Sequence, residues 1–178
     1  MLNRDETACV LVDFQERLAP AMFEAGGLLD DVLRLLRGLE VLKVPVLWTE
    51  QNPAGLGGTV GEVAELLPGE AIPKMSFSCC GEPAFVEALE ALGRRQLLLA
   101  GIEAHVCVYQ TAADLIDADY DVHVVSDAVS SRSPENKAVG LEKCADLGAA
   151  ITSVETALFE LLRVAEGEEF KRILRIVR

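Results

Sequence analysis

The stretch Leu97-Leu98-Leu99-Ala100-Gly101-Ile102-Glu103-Ala104-His105-Val106-Cys107 is the part of the chain that decides the fold. Its first half is apolar without alternation, which is typical of a strand buried on both faces of a parallel sheet. The residues that follow indicate a sharp turn into a helix, with Cys107 near the helix N-terminus. Free N–H groups and the positive end of the helix dipole favour a thiolate there, so we expect the pKa of Cys107 to be lowered.

Short apolar runs alternate with stretches of helical spacing along the whole chain, which predicts a parallel sheet covered by helices on both faces. The predicted strands are 8–12, 44–48, 71–74, 96–101, 122–126 and 149–152. The predicted helices are 28–42, 60–67, 83–92, 106–118 and 134–147, with one or two closing helices. No linker or repeat interrupts the pattern, so we expect a single domain over residues 1–178.

These segments favour an α/β fold, a three-layer α/β/α sandwich with a six-stranded, mainly parallel, doubly wound sheet of strand order 3-2-1-4-5-6. In such a sheet the first and fourth strands are neighbours, and ligands bind beyond their carboxyl ends. Asp13 follows the first predicted strand and Cys107 follows the fourth. The topology therefore predicts that both residues lie at one site.

The composition narrows the classes of function. The chain has 178 residues, 51% of them hydrophobic, and a net charge of −13. This charge argues against a nucleic acid partner, because phosphate contacts require clustered Lys and Arg. The apolar runs are too short to span a membrane. The N-terminus does not resemble a signal peptide and the five cysteines are odd in number, which predicts a cytoplasmic protein without a disulfide framework.

The available residue types limit the catalytic chemistry. The histidines are His105 and His123. His105 is two residues from Cys107, a spacing at which helical side chains point in different directions, and His123 falls inside a predicted strand. A histidine base for Cys107 is therefore not expected, and no nucleophile-elbow motif or zinc-ligand spacing is present. The residue types that remain for this chemistry are an Asp as the base and a Lys as its electrostatic partner.

Asp13 and Lys74 lie where such partners are needed. Asp13 directly follows a buried strand, where burial raises the pKa of an unpaired carboxyl group towards the range of a general base; a capping role is the alternative. Lys74 ends the third strand, where it is placed either to pair with Asp13 and stabilise a Cys107 thiolate or to lie at the surface.

Three motifs in this order resemble those of the isochorismatase-like cysteine hydrolases. They are the strand-Asp-x-Gln motif at Asp13, Lys-x-x-Phe-Ser from Lys74, and Gly-Ile-Glu-Ala-His-Val-Cys ending at Cys107. The similarity runs from about residue 8 to residue 155 and is greatest to the branch of isochorismatase-domain-containing proteins.

The resemblance implies that Asp13, Lys74 and Cys107 form a catalytic triad. It also implies a cis peptide bond before Glu103, an oxyanion hole formed by the backbone N–H groups of Glu103 and Cys107, and a homo-oligomer. Nicotinamidases of the same family bind a metal through an Asp-x-His arrangement beyond the second strand. Here that region reads Thr49-Glu50-Gln51-Asn52 without a histidine, so we expect no metal and no other cofactor.

The sequence thus predicts a hydrolase that cleaves a small amide or related C–N bond through a thioester on Cys107. The residues expected to line its substrate pocket are Phe14, Gln15, Gln51, Phe77 and His105. Two alternatives stay open, a non-catalytic oligomeric binding or scaffold module and a thiol-redox protein that uses Cys107 with Cys79 or Cys80. For Cys79-Cys80 itself, packing is the simpler expectation.

Overall fold

A six-stranded sheet, parallel throughout, forms the centre of the chain, whose residues 1–178 are all described by this computed structural model. The strand order is β3-β2-β1-β4-β5-β6, so the predicted order 3-2-1-4-5-6 is confirmed. The strands are β1 Thr7–Val12, β2 Val46–Gln51, β3 Ile72–Lys74, β4 Gln96–Ile102, β5 Asp121–Ser130 and β6 Ala150–Thr152.

Eight α-helices cover the two faces of this sheet. They are α1 Ala25–Leu42, α2 Pro53–Leu56, α3 Gly61–Ala64, α4 Pro83–Leu92, α5 Tyr109–Asp117, α6 Pro134–Asp146, α7 Val154–Leu162 and α8 Gly167–Ile176. None of them combines the length and the apolar character that a membrane crossing requires. The predicted helix 60–67 is shorter than expected, because only the single turn α3 forms there.

Strand β2 is longer than the sequence predicts. The predicted strand 44–48 ends at Trp48, before the polar residues Thr49, Glu50 and Gln51. In the structure Thr49, Glu50 and Gln51 stay extended, since they pair in parallel register with all three residues of β3. The polar end of β2 therefore belongs to the sheet and carries side chains to its carboxyl edge.

Two apolar layers lie on opposite faces of the sheet. One contains buried side chains of α1, α7 and α8 together with Leu11 and Leu98, and the other contains those of α4, α5 and α6 together with Val10 and Leu99. Adjacent strand residues thus enter different layers, as the alternation of side chains along a strand requires. Both faces of β1 and β4 are buried, which explains why their sequences are apolar without alternation.

Two glycines permit the close backbone packing around the turn after β4. Gly101 has φ +107°, and a Cβ there would lie 2.0 Å from the Val12 carbonyl oxygen. A Cβ at Gly140 of α6 would lie 2.5 Å from the Ala104 carbonyl carbon. Since both obstacles are backbone atoms, any larger residue at either position would displace the turn that carries Cys107.

The buried thiols predict a pH dependence of stability. Burial raises the pKa of Cys9 to about 12, so this thiol binds its proton more tightly in the native chain than in the unfolded one. Its contribution is complete below the unfolded thiol pKa of about 8.5 and is lost as the pH rises towards the native value. We expect the free energy of unfolding to fall by about 2 kcal/mol more between pH 7 and pH 10 in the wild type than in Cys9→Ala.

Urea unfolding in the presence of a reductant at both pH values measures this difference. Equal losses of stability in the two proteins would contradict a buried, protonated Cys9.

Candidate active site

The carboxyl ends of three strands bring Asp13, Lys74 and Cys107 to one edge of the sheet. Asp13 directly follows β1, Lys74 is the last residue of β3, and Cys107 lies in the turn after β4. Because all strands are parallel, these ends are on the same side of the molecule. The site lies where a doubly wound sheet binds its ligands.

Asp13 and Lys74 form a completely buried ion pair. Lys74 Nζ lies 2.7 Å from Asp13 Oδ2, and neither side chain has any exposed surface. Asp13 has φ +49°, in the left-handed region that Asp tolerates better than most residues. Its backbone N–H donates to the Thr49 carbonyl at 3.2 Å, so the neighbouring strand holds the residue in this conformation.

The Lys74 ammonium group has no donor left for a ligand. Besides Asp13, its Nζ lies 2.7 Å from Gln51 Oε1, 3.1 Å from the Ser76 carbonyl and 3.0 Å from the Phe77 carbonyl. An ammonium group has three N–H donors, and four oxygens surround this one. Lys74 therefore neutralises Asp13 and anchors the segment after β3.

Thr49 is a site residue that the sequence analysis did not single out. Its hydroxyl donates to Asp13 Oδ1 at 2.8 Å, on the carboxylate oxygen that Lys74 does not bind. The signal available in the sequence was a polar residue directly after the apolar part of β2, at the level of Asp13 in the neighbouring strand. Because the predicted strand ends at Trp48, the prediction places Thr49 outside the sheet.

Cys107 is buried beside Asp13, with 7% of its surface exposed. Burial, together with the negative charge of Asp13, raises the pKa of Cys107 to about 12, although Lys74 acts in the opposite direction. The expected lowering of this pKa is therefore wrong. The turn Ala104–Val108 is π-helical, so Cys107 does not lie in the first turn of an α-helix, and the charge of Lys74 is already compensated by Asp13.

The turn before Cys107 contains the expected cis peptide bond, between Ile102 and Glu103. The Glu103 carbonyl accepts hydrogen bonds from the N–H groups of Val106 and Val108, whereas the Glu103 N–H has no acceptor within the chain. The Glu103 carboxylate pairs with Arg132 Nε at 2.9 Å. One unpaired backbone donor thus lies in the turn that carries the thiol.

Cys79 is a second thiol beside the ion pair. Its Sγ is 3.7 Å from Thr49 Oγ1, and its N–H donates to Thr111 Oγ1 at 3.0 Å. Burial raises the pKa of Cys79 to about 11. The adjacent Cys80 is only partly buried, so the two members of the Cys79-Cys80 pair have different environments.

The five residues expected to line a substrate pocket have different surroundings. Phe14 is 1% exposed within the apolar layer of α1, and Gln15 is buried with its amide bound to the backbone of Gln51 and Gly57. The Gln51 side chain accepts a hydrogen bond from Lys74. Phe77 is 55% exposed. His105 Nδ1 lies 2.9 Å from Ser131 Oγ. A ligand-binding role for these residues stays a prediction.

No group of three or more His, Cys, Asp or Glu side chains has an arrangement that would hold a metal ion. The polar groups of the site are instead the paired charges, two thiols and one hydroxyl described above. A thiol can act as a nucleophile and a carboxylate as a proton acceptor. The free Glu103 N–H adds a backbone donor.

Residues 7–156 match the model of the isochorismatase domain. The chain belongs to the isochorismatase family. It is 39% identical to isochorismatase domain-containing protein 1 of Danio rerio over 166 residues, which cover 93% of this chain and 59% of that protein. The chain thus spans less than two thirds of the length of this relative.

Solved structures of the isochorismatase fold superpose on nearly the whole chain. The MAR1 ribonuclease of Caenorhabditis elegans has a TM-score of 0.92 at 32% identity and covers 99% of this chain and 91% of its own. The YcaC gene product of Escherichia coli has a TM-score of 0.93 at 24% identity, and the match covers 98% of this chain and 88% of that one. That protein is described as an octameric hydrolase of unknown specificity. The chain therefore has the fold of isochorismatase-family hydrolases.

Removal of the buried lysine charge should destabilise the fold strongly. We expect Lys74→Met to lower the free energy of unfolding by about 3–5 kcal/mol, because it leaves Asp13 charged and unpaired in the interior. The double variant Asp13→Asn with Lys74→Met should recover part of this loss, since it removes both charges. Urea unfolding of the three proteins measures the difference.

Lys171→Met is the matched control, because Lys171 pairs with Glu168 at the exposed surface and such pairs stabilise little. A Lys74→Met variant as stable as Lys171→Met would contradict the buried ion pair.

Proposed function

We propose that the chain is a metal-independent cysteine hydrolase that cleaves a small amide or related C–N bond. The observation that carries the proposal is the position of the buried Cys107 thiol beside Asp13, whose charge is balanced by Lys74. A nucleophile beside a proton acceptor that is itself held by a third group is the arrangement of covalent catalysis.

Proton transfer opens the reaction. At neutral pH the raised pKa keeps Cys107 as a thiol, and Asp13 takes its proton when the Sγ atom attacks the substrate carbonyl. A thiolate of high pKa is an intrinsically strong nucleophile, so burial delays deprotonation without weakening the attack. The unpaired Glu103 N–H and the Cys107 N–H donate to the oxygen that becomes negative.

The collapse of this intermediate breaks the C–N bond. The proton held by Asp13 moves to the leaving nitrogen, the amine departs, and the acyl group remains on Cys107 as a thioester. Asp13 then accepts a proton from water, whose oxygen attacks the thioester carbonyl. The acid is released, and the proton returns from Asp13 to the Cys107 sulfur.

Lys74 serves this cycle by compensating charge rather than by contacting the substrate. Its donors are all occupied by Asp13, Gln51 and two backbone carbonyls. The ammonium group stabilises Asp13 while it is ionised and holds the segment that carries Phe77. The substrate is therefore recognised by groups other than Lys74.

A ribonuclease activity is less well supported, although the Caenorhabditis elegans relative is named a ribonuclease. The net charge of −13 opposes the approach of RNA phosphates. An RNA oligonucleotide included among the tested substrates decides between the two activities. RNA cleavage that depends on Cys107 would replace the amide proposal.

The test of the proposal is a panel of small amides assayed for release of ammonia or amine. We expect Cys107→Ala and Asp13→Asn to lower the rate by at least about 1,000-fold, as removal of a nucleophile or its base does in other covalent hydrolases. Peptide mass spectrometry after acid quenching should detect the acyl group on Cys107.

Cys144→Ala is the matched control, because Cys144 is a buried thiol in α6, outside the site. Hydrolysis that persists in Cys107→Ala would contradict cysteine catalysis. A disulfide between Cys107 and Cys79 or Cys80 in the active protein would favour the redox alternative, and a chain without any turnover would favour the scaffold alternative.

We further propose that the chain forms a homo-oligomer through the β6 edge of the sheet. Ile151 of β6 is 43% exposed and Leu147 before it is 40% exposed, and an uncovered apolar edge strand favours association. The Escherichia coli relative is itself named octameric. A dimer or larger assembly is therefore the expected state in solution.

Light scattering at micromolar concentration should give at least twice the 19.2 kDa mass of one chain. Ile151→Lys should lower this mass. Val164→Lys should not, since Val164 is also apolar and exposed, at 56%, but lies after α7. A wild-type protein of 19.2 kDa would contradict the assembly.

The free thiols also support a reducing compartment. All five cysteines are unpaired, a state that persists in the cytoplasm. We therefore propose a cytoplasmic location. The small-molecule substrate is the small amide of the proposed reaction.

A further inference from the structure

A buried hydroxyl group lies against the proposed catalytic base. Thr49 is 1% exposed, and its Oγ1 lies 2.8 Å from Asp13 Oδ1. The same oxygen is 3.7 Å from Cys79 Sγ. The Thr49 hydroxyl thus has two buried neighbours, the charged Asp13 carboxylate and the uncharged Cys79 thiol.

We propose that Thr49 is a positioning residue that holds the Asp13 carboxyl group in the orientation required for its proton transfers with Cys107 and with water. The proposal rests on the proposed function of Asp13 as the base. Thr49 acts only through Asp13 and contacts neither the substrate nor the Cys107 sulfur in this role.

Two hydrogen bonds are needed because the terminal torsion of an Asp side chain is broad and nearly two-fold. The bond from Lys74 to Oδ2 alone would allow the other oxygen to move. The bond from Thr49 to Oδ1 fixes the plane of the group. Each carboxylate oxygen has two lone pairs, so Asp13 retains one for the Cys107 thiol.

A hydroxyl group suits this position because it donates to the carboxyl group in both protonation states. While Asp13 is ionised, Thr49 donates to Oδ1. After Asp13 has taken a proton on a lone pair that faces Cys107, Oδ1 still has a lone pair that accepts from Thr49. Thr49 gains and loses no proton in this exchange, and Asp13 keeps a hydrogen bond in both protonation states.

The backbone of Thr49 makes the side chain separable by mutation. The Thr49 carbonyl accepts the Asp13 N–H at 3.2 Å, and Thr49 pairs with Ile72 in the sheet. Thr49→Val keeps these backbone bonds, the branched shape and the volume, but removes the hydroxyl. Thr49→Ser keeps the hydroxyl and removes one methyl group.

The experiment uses p-nitrophenyl acetate as the probe, because its acetyl group is small and its leaving group needs no proton. Release of p-nitrophenolate in a burst reports acetylation of Cys107, and the steady rate reports hydrolysis of the thioester, the step for which Asp13 activates water. Because Asp13 accepts a proton in both steps, we expect Thr49→Val to lower the rates of the burst and of the steady phase by about 10- to 100-fold each, the loss typical of one hydrogen bond to a charged group. The burst amplitude should stay unchanged, since it counts the chains with a reactive Cys107.

Thr49→Ser should restore the steady rate to within about threefold of the wild type, since it restores this bond. A purely structural disturbance would lower the burst amplitude, because fewer chains would hold a reactive Cys107, and would not be rescued by Ser. Circular dichroism checks that each variant is folded. If Thr49→Val is not folded, Thr49→Ala replaces it in the comparison with Thr49→Ser.

A steady rate of Thr49→Val within threefold of Thr49→Ser would overturn the role of Thr49. The variant Asp13→Asn separates this failure from failure of the proposed function. Loss of both the burst and the turnover in a folded Asp13→Asn variant supports Asp13 as the base even where Thr49→Val behaves as wild type. Absence of Cys107 acetylation in the wild-type protein would overturn both proposals.

Discussion

The buried ion pair between Asp13 and Lys74 is the constraint on which the rest of the site depends. Two charges without any exposed surface are stable only when each is fully paired and hydrogen-bonded. Strand β2, which lies between β1 and β3, meets this demand, because Thr49 binds the carboxylate and Gln51 binds the ammonium group. This is also why β2 remains a strand through its polar end and why the three-residue β3 is held in the sheet.

The same pairing affects the protonation state of the Cys107 thiol. An isolated lysine beside Cys107 would favour the thiolate, but here the lysine charge is neutralised by the Asp13 carboxylate. Burial and Asp13 together outweigh Lys74, so the pKa of Cys107 rises. The proton of the resting site is therefore on sulfur, and in the proposed reaction Asp13 accepts it when a substrate carbonyl is attacked.

The sequence predicts the topology and the position of three site residues because Asp13, Lys74 and Cys107 each follow a short apolar strand, and the carboxyl ends of parallel strands share one edge. It does not predict the direction of the Cys107 pKa shift, which depends on the burial of the thiol and on its distances from Asp13 and Lys74. It also misses Thr49 and the position of Cys79 beside the ion pair. The contacts of these two residues depend on the pairing of β2 with β3 and on the segment after β3, and neither gives a periodic signal.

The site has a fixed part and a part that is free to vary. Lys74, Thr49 and Asp13 satisfy one another, and the turn to Cys107 is held by backbone packing that leaves no room for a Cβ at Gly101. The side chains at its surface are under no such constraint, since Met75 and Phe77 are 71% and 55% exposed. A change in the fixed part would alter the folding of the site, whereas a change in these exposed side chains would alter only its outline. If the proposed function holds, we therefore expect selection among substrates to depend on the exposed segment that follows Lys74.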